Sequence, residues 1–574
     1  MKWLGVLAVI LASNSWGFSK PPPESTKGLS YTYTSSPRLY DLETGQELTL
    51  YQNASDVARI NVNFGESNIE KIDTSTTPHT VTTIYDCTSS AVICAAQEGR
   101  ISPDGKRLAY SVSFGDRLAG KGLDIKNVLS AEIRIHNLET GEDKPLPNQV
   151  PTAINRMPDW INNTTLVYSS DEANMYGFRD QCSMHQGKRA DGSSRWCNPP
   201  YGYSQVYGQQ KSMQIWRSNL DGTDKRNLTP QEAMAIEPLV LKHPHHKGRI
   251  LYSTLQYGED KGFGTGTSAF TIQNMWWIAS MDQNGANGTV VIGGHKSALI
   301  PNSRFLDEAG VEYEGGQQYD RFLALRGVGE SLDGKITVSS YYRANHYGLG
   351  NSYSFTILDH SVEGISTSAH DKLDTPYITN RPGSGRYMPY NLMPVTPFAV
   401  GQDIPQRFDG EGRVMGKTGF PSSLPNGNLQ LTRCRGWCFI QPNPETVAKV
   451  YAGGEPLRDE GIYEVVSEDG VVTNPFDEKQ LVKIFDDPMK LERDASAIVA
   501  SKVPPPTPAL NPADGCFIQV VNVKKAELSP AKAYTQGLSP ERAKSNFRWL
   551  GEHTAFQGNS VKADDTVAGG FTNK

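Results

Sequence analysis

A short unit recurs along this chain: a Gly-bearing turn, an apolar strand, then a second strand ending in another Gly turn. It is most complete at Ser102-Pro103-Asp104-Gly105-Lys106-Arg107-Leu108-Ala109-Tyr110-Ser111, followed by Ile133 to Glu142. The first strand echoes at Thr165–Ser169, Gly248–Ser253, Asp333–Ser339 and Asn426–Thr432. The second echoes at Gln214–Gly222, Met275–Asp282, Ser354–Asp359 and Gly461–Val466. Asp-Gly and Asn-Gly supply the positive φ that tight hairpins need. Alternating apolar and polar positions between such turns read as half-buried antiparallel strands. A unit this small cannot bury its apolar face alone, so copies of it must stack or close into a ring.

Five inner-plus-outer units are legible in this way. A sixth outer half, Arg38–Leu48, stands alone, and its missing inner half is assigned to Cys516–Val523 near the other end. A ring closed by strands from both ends leaves no open sheet edge. The expected fold is therefore all-β, a six-bladed β-propeller over residues 18–523, with seven blades as the alternative count. The anchors Leu108, Leu166, Ile250, Ile336 and Leu429 are unevenly spaced, whereas a regular blade needs about 40–50 residues. The excess falls in segments 178–210, 255–271, 295–330 and 378–425. Connections that long in a compact fold are either surface decoration or points of contact with something else. The strands after the Gly turns are taken as those nearest the axis, ending at a mouth of the central channel.

Met1–Gly17 reads as a secretory signal: Lys2, an apolar run from Trp3 to Ala12, and a small-residue exit at Ser15-Trp16-Gly17. This predicts a periplasmic or secreted protein with no transmembrane segment in the mature chain. A formal net charge of −6, without basic runs, argues against nucleic acid as a partner. In an exported chain the seven cysteines are read first as disulfides. The pairs close in sequence are Cys87 with Cys94, Cys182 with Cys197, and Cys434 with Cys438, leaving Cys516 over. Residues 524–574 form a polar C-terminal extension, and Lys502–Pro508 is a stiff, proline-rich connector.

The Ser-Pro-Asp-Gly-Lys turn followed by Leu-Ala-Tyr-Ser resembles the repeat of TolB-type propellers. A wider set of residues is similar to the propeller domain of hydrazine synthase alpha-subunit-like proteins. It comprises Gly248–Ser253, Met275-Trp276-Trp277 with Asp282 and Gly285, Leu424–Asn428, Gly461-Ile462-Tyr463 and Pro504-Pro505-Pro506. The resemblance covers roughly residues 30–523 and implies a propeller. Hydrazine synthase alpha subunits also carry c-type haems in domains flanking the propeller. This chain has no Cys-x-x-Cys-His, so that redox chemistry is not implied.

Several clusters are candidates for chemistry. His243, His245 and His246 put three imidazoles into four residues, a set suited to a divalent metal such as zinc, copper or nickel. Their setting among Pro244, Lys242 and Lys247 also fits an exposed hairpin tip. Arg343 and His346 follow the Ile336–Ser340 strand and would hold an anion or metal at the channel mouth. Asp171, Glu172, Tyr257 and Arg433 follow the corresponding strands of other units and are expected to converge on that mouth. Cys434-Arg435-Gly436-Trp437-Cys438 is read as a structural disulfide, or alternatively as a redox or soft-metal pair. Tyr201, Tyr203 and Tyr207 lie on a segment expected to be stapled by Cys182 and Cys197. No Gly-x-Ser-x-Gly elbow, phosphate loop or dinucleotide fingerprint occurs. The reading is a protein-binding or scaffold propeller. The alternative is an enzyme or accessory subunit with a metal-supported site at the channel mouth.

Overall fold

The computed structural model describes residues 28–37, 67–88, 94–115, 128–173, 213–230, 234–256, 275–294, 324–341, 349–357, 390–399, 408–436, 458–487 and 490–506, with residues 26, 205–206, 209–210, 386–387 and 438. Among these the protein is built of β-strands with two short 3-10 turns, and no helix is long and apolar enough to cross a membrane.

Strands β1 (Ser30–Pro37), β2 (Asn68–Asp73) and β3 (Thr80–Tyr85) pair side by side and antiparallel. Next come β4 (Cys94–Ile101), β5 (Arg107–Gly115), β6 (Val128–Asn137) and β7 (Asp143–Pro145), paired in that order. The following unit begins with β8 (Asn155–Asn162) and β9 (Thr165–Ser170). A small hairpin, β10 (Gln205–Val206) with β11 (Gln209–Gln210), precedes its β12 (Gln214–Asn219) and β13 (Arg226–Asn227). Then follow β14 (Ala235–Val240), β15 (Ile250–Gln256), β16 (Met275–Met281) and β17 (Thr289–Gly294). The next set is β18 (Ala324–Glu330), β19 (Ile336–Tyr341) and β20 (Asn351–Thr356). After it, β21 (Arg386–Tyr387) pairs with β17, and β22 (Tyr390–Pro394) pairs with β20. The last set is β23 (Lys417–Ser423), β24 (Leu429–Gly436), β25 (Arg458–Val465) and β26 (Leu481–Phe485). Finally β27 (Lys490–Ala497) returns to pair antiparallel with β1.

The first strands touch in a closed cycle: β4 with β8, β8 with β14, β14 with β18, β18 with β23, β23 with β27, and β27 with β4. The result is a propeller-like ring of sheets, in which a mixed sheet joins the N-terminal and C-terminal strands. The apolar core lies between neighbouring sheets. Leu251, Ile278 and Val291 of one unit, for example, pack against Leu325, Ile336, Val338 and Phe355 of the next.

Two sequence expectations are corrected. The closing strand is β27, residues 490–497, and it pairs with Ser30–Pro37. Both Arg38–Leu48 and Cys516–Val523 lie outside the described residues, as do the signal segment and the C-terminal extension. The proline-rich connector therefore follows the closing strand instead of leading into it. Second, the strands after the Gly turns (β5, β9, β15, β19 and β24) stand one place out from the axis. The strands before those turns form the inner wall, and they escaped notice because their patterning is broken.

What breaks it is a bulge. Each inner strand slips its register against its neighbour near Glu98, Met157, Glu237, Gly327, Phe420 or Asp494, and β8 slips a second time between Trp160 and Asn162. All six residues have positive φ, between 51° and 64°. For a non-glycine residue this conformation costs on the order of 1–3 kcal/mol and needs compensation. Hydroxyls of the preceding unit supply part of it. Met157 N–H donates to Ser111 Oγ (3.0 Å), Glu237 N–H to Ser169 Oγ (3.2 Å) and Asp494 N–H to Thr432 Oγ1 (3.2 Å). Ser111, Ser169 and Thr432 are the residues that end the repeated Leu-x-x-Ser/Thr echo. The hydroxyl in that motif thus serves the next unit.

The turn motif is equally explicit. Ser102 Oγ donates to Asp104 Oδ1 (2.5 Å), which also accepts Lys106 N–H (3.1 Å), and Gly105 takes φ 73°. Ser331, Asp333 and Gly334 repeat it, with a 2.5 Å Ser–Asp bond and φ 78° at the glycine. Cys87–Cys94 and Cys434–Cys438 are at bonding distance, with S–S of 2.06 and 2.11 Å. Cys182, Cys197 and Cys516 lie outside the described residues.

Replacing Ser169 with Ala strips the Glu237 N–H of its acceptor in a buried site. The expected loss is about 1–3 kcal/mol of unfolding free energy at unchanged m-value, read by urea titration.

Candidate functional site

The six bulges lie on the inner strands, where neighbouring units meet, and three of them carry carboxylates. Each carboxylate is clasped by an arginine from the next unit. Asp494 Oδ1 meets Arg100 Nη1 at 2.9 Å, and Glu98 Oε1 meets Arg156 Nη2 at 2.5 Å. Glu237 meets Arg326 through both Nε (2.8 Å) and Nη2. The same carboxylates gather backbone and hydroxyl donors: Glu98 Oε2 accepts Ser111 Oγ (2.7 Å) and Met157 N–H (3.0 Å). Glu237 Oε2 accepts Gly327 N–H at 3.0 Å. Burial pushes the Asp494 carboxyl upward while Arg100 pulls it down.

At the β18–β23 junction, where the bulge residue Gly327 bears no charge, the backbones come into close contact. A Cβ on Gly329 would lie 2.1 Å from the Pro421 carbonyl oxygen, so β18 and β23 approach as only glycine allows.

A second group of charges sits where the ring closes. Arg493 Nη2 contacts the buried Glu460 Oε2 at 2.6 Å. Glu70 accepts Tyr33 Oη (2.7 Å) and Lys490 Nζ (2.7 Å). Glu492 is fully buried, and its Oε1 accepts Asp487 N–H at 3.0 Å. Burial, reinforced by Asp486, Asp487 and Asp459, pushes its carboxyl up to about 9.

The residues singled out from sequence are distributed, each in its own local frame. Pro244–His246 is a 3-10 turn between β14 and β15, and it is not an exposed tip: His246 is fully buried. His246 Nε2 bonds the Gly334 carbonyl (2.7 Å) and His245 Nε2 the Ile357 carbonyl (2.9 Å), both in the next unit. Gly334 allows this, since a Cβ there would stand 2.8 Å from the His243 ring. Burial holds the His246 pKa down to about 4, so at neutral pH the ring is uncharged and wedges two units together. Among the described residues no group of three or more His, Cys, Asp or Glu side chains is placed to hold a metal ion.

Asp171 is buried and caps Ile154 N–H at 2.7 Å, while Glu172 pairs with Lys225 Nζ at 2.6 Å. Arg433 is buried beneath Tyr463 and Phe476 and donates to the carbonyls of Met415 and Pro475. Arg343, His346, Tyr257, Tyr201, Tyr203 and Tyr207 lie outside the described residues.

Sequence reading missed Glu98, Arg100, Arg156, Glu237, Arg326 and Asp494. One signal was available. Glu98, Gly327 and Phe420 each stand seven residues before the turn glycines Gly105, Gly334 and Gly427. Their side chains share no chemistry, which hides the position from pattern reading.

No protein-family model matches the chain, and no curated protein does. Solved structures do. Hydrazine synthase of Kuenenia stuttgartiensis matches at 12% identity and TM-score 0.43, over 86% of this chain and 49% of that one. TolB of Acinetobacter baumannii matches at 11% identity and TM-score 0.23, over 59% and 63%. An oligogalacturonate lyase of Vibrio parahaemolyticus matches at 10% identity and TM-score 0.30, over 64% and 68%. The chain thus spans about half the length of the hydrazine synthase chain. These are distant likenesses to propellers and bear on the fold alone.

Arg156→Met leaves the Glu98 carboxylate without its arginine and is expected to cost about 3 kcal/mol, whereas the double variant Glu98→Gln/Arg156→Met recovers part of that. Chemical denaturation of the four proteins in the cycle measures both. The closure carboxylates predict a pH effect. The Glu492 pKa is raised on folding, so between about pH 4.5 and 9 the native state keeps a proton that the unfolded chain has lost. Its contribution to stability is full below that window and falls as pH rises through it. Glu492→Gln keeps a neutral side chain at every pH, so its urea midpoint is expected to lie near that of the wild type at pH 5 and above it at pH 9.

Proposed function

We propose that this chain is an exported, six-bladed β-propeller acting as a non-catalytic scaffold that docks a protein partner, in the periplasm or outside the cell. The observation that carries the reading is how the ionisable groups of the inner wall are used. Glu98, Glu237 and Asp494 are bound to Arg156, Arg326 and Arg100 across unit boundaries. His245 and His246 are bound to carbonyls of the adjoining unit. Groups spent on holding a frame rigid are poorly placed to exchange protons with a substrate, while a rigid frame is what a docking platform needs. Long connections rich in Gly, Pro, Tyr and Asn leave this frame between β9 and β12, β15 and β16, and β17 and β18. Tyr-rich segments of that composition give contact area at small entropic cost. The six-blade count is supported by six inner strands among the described residues, each with a left-handed residue at a bulge.

The test is native mass spectrometry of protein from the exported fraction without chelator, followed by cross-linking in that fraction. The expected outcome is a bare polypeptide mass and a cross-linked complex of fixed stoichiometry. Turnover by the isolated protein, or stoichiometric metal lost in His346→Ala, would replace this reading with the metal-supported site at the channel mouth.

A further inference from the structure

The segment after β27 continues across the ring as an extended run. Ile498 N–H bonds the Ser30 carbonyl (2.8 Å), and Ser501 N–H bonds the Pro103 carbonyl (2.8 Å) in the turn between β4 and β5. Pro504 is buried, and Gln283 Nε2, itself 3% exposed, donates to the Pro505 carbonyl at 3.3 Å. Gln283 belongs to the β14–β17 unit, two units beyond the one that holds Ser501. Two turn glycines make the seats. A Cβ on Gly105 would lie 3.1 Å from Ala500 N, and one on Gly248 would lie 2.9 Å from both Pro504 Cβ and the Pro505 oxygen.

From Ala500 to Pro505 an extended proline-rich chain covers about 16 Å at ~3.1 Å per residue. It touches the β4–β5 turn and then the turns of the β14–β17 unit, so it links, at the turn-bearing end of the ring, two units that are not neighbours.

We propose that residues 498–506 are a strap that closes the ring a second time, fastening the final strand across the turn end. The antiparallel pairing of β27 with β1 is the first closure. Alone it would leave the last strand free to fray where the chain leaves it. The strap ties that exit to two further units at small entropic cost, because Pro504, Pro505 and Pro506 are already extended when free. The end of the ring from which the connections after β5, β9, β15 and β19 depart is then the end left for a partner.

Full-length Gln283→Ala/Ser501→Pro tests this, since it removes both hydrogen bonds without adding bulk at either glycine seat. The readouts are trypsin cleavage at Lys502–Val503, between the two pinned points, and the thermal midpoint. Cleavage is expected to rise about tenfold and the midpoint to fall, with the far-ultraviolet dichroism unchanged. Wild-type cleavage as fast as that of a free peptide of residues 496–508 would overturn the proposal, as would a double variant equal to wild type in both readouts. Gln283→Ala alone serves where Ser501→Pro disturbs folding, with a smaller rise expected in the same direction and no rise counting against the strap.

Discussion

Three of the six junctions in the ring depend on one recurrent interaction: the N–H of a left-handed residue in an inner strand, held by a hydroxyl of the unit before it. The bulge that creates this residue bends the inner strand and adds local twist. The strain would be unfavourable in an isolated sheet. It becomes tolerable because Ser111, Ser169 and Thr432 accept the exposed N–H groups of Met157, Glu237 and Asp494. At these junctions a unit is therefore complete only when its predecessor is in place. This is the hydrogen-bonding counterpart of the apolar argument that no single unit can bury its own face.

On that frame the charges add a second level of coupling. The carboxylates of Glu98, Glu237 and Asp494 project from bulges and meet arginines of the following unit. These pairs are partly buried, so each repays desolvation only through its surrounding donors. Glu98 has Ser111 and Met157, and Glu237 has Gly327. At the β18–β23 junction a different solution appears, in which Gly329 lets the two backbones come together. Different side chains thus solve one geometric problem, which is why the inner strands lack a common sequence.

This explains what could be read from the chain and what could not. The turns were legible because Asp-Gly and Asn-Gly chemistry is local: Asp104 and Asp333 bond within their own loops. The strands after them were legible because Leu108, Leu166 and Ile250 alternate cleanly. The inner strands were not, since Gln97-Glu98-Gly99-Arg100 and Arg156-Met157-Pro158-Asp159 break period 2 at the bulge. Closure failed for a related reason. Ser30–Pro37 alternates as Tyr31-Thr32-Tyr33-Thr34 and follows Gly28 (φ 76°), yet no inner strand precedes that glycine in sequence, because its inner partner arrives from residues 490–497. The histidine turn was misjudged because polar composition said surface. What buries His246 is the following unit's Gly334, far away in sequence.

The closure also bears on where function can reside. A ring whose inner wall is tied by ion pairs and whose turn end is crossed by its own chain has little freedom left in those parts. Arg433 shows how far this reaches. Near the end of β24, it is still locked under Tyr463 and Phe476 with its donors on two carbonyls. Just beyond it, Cys434 and Cys438 are buried against Leu349 of the preceding unit, and Arg435 pairs with Asp459 at 2.5 Å. Within the described residues, then, what the repeats supply is rigidity and spacing.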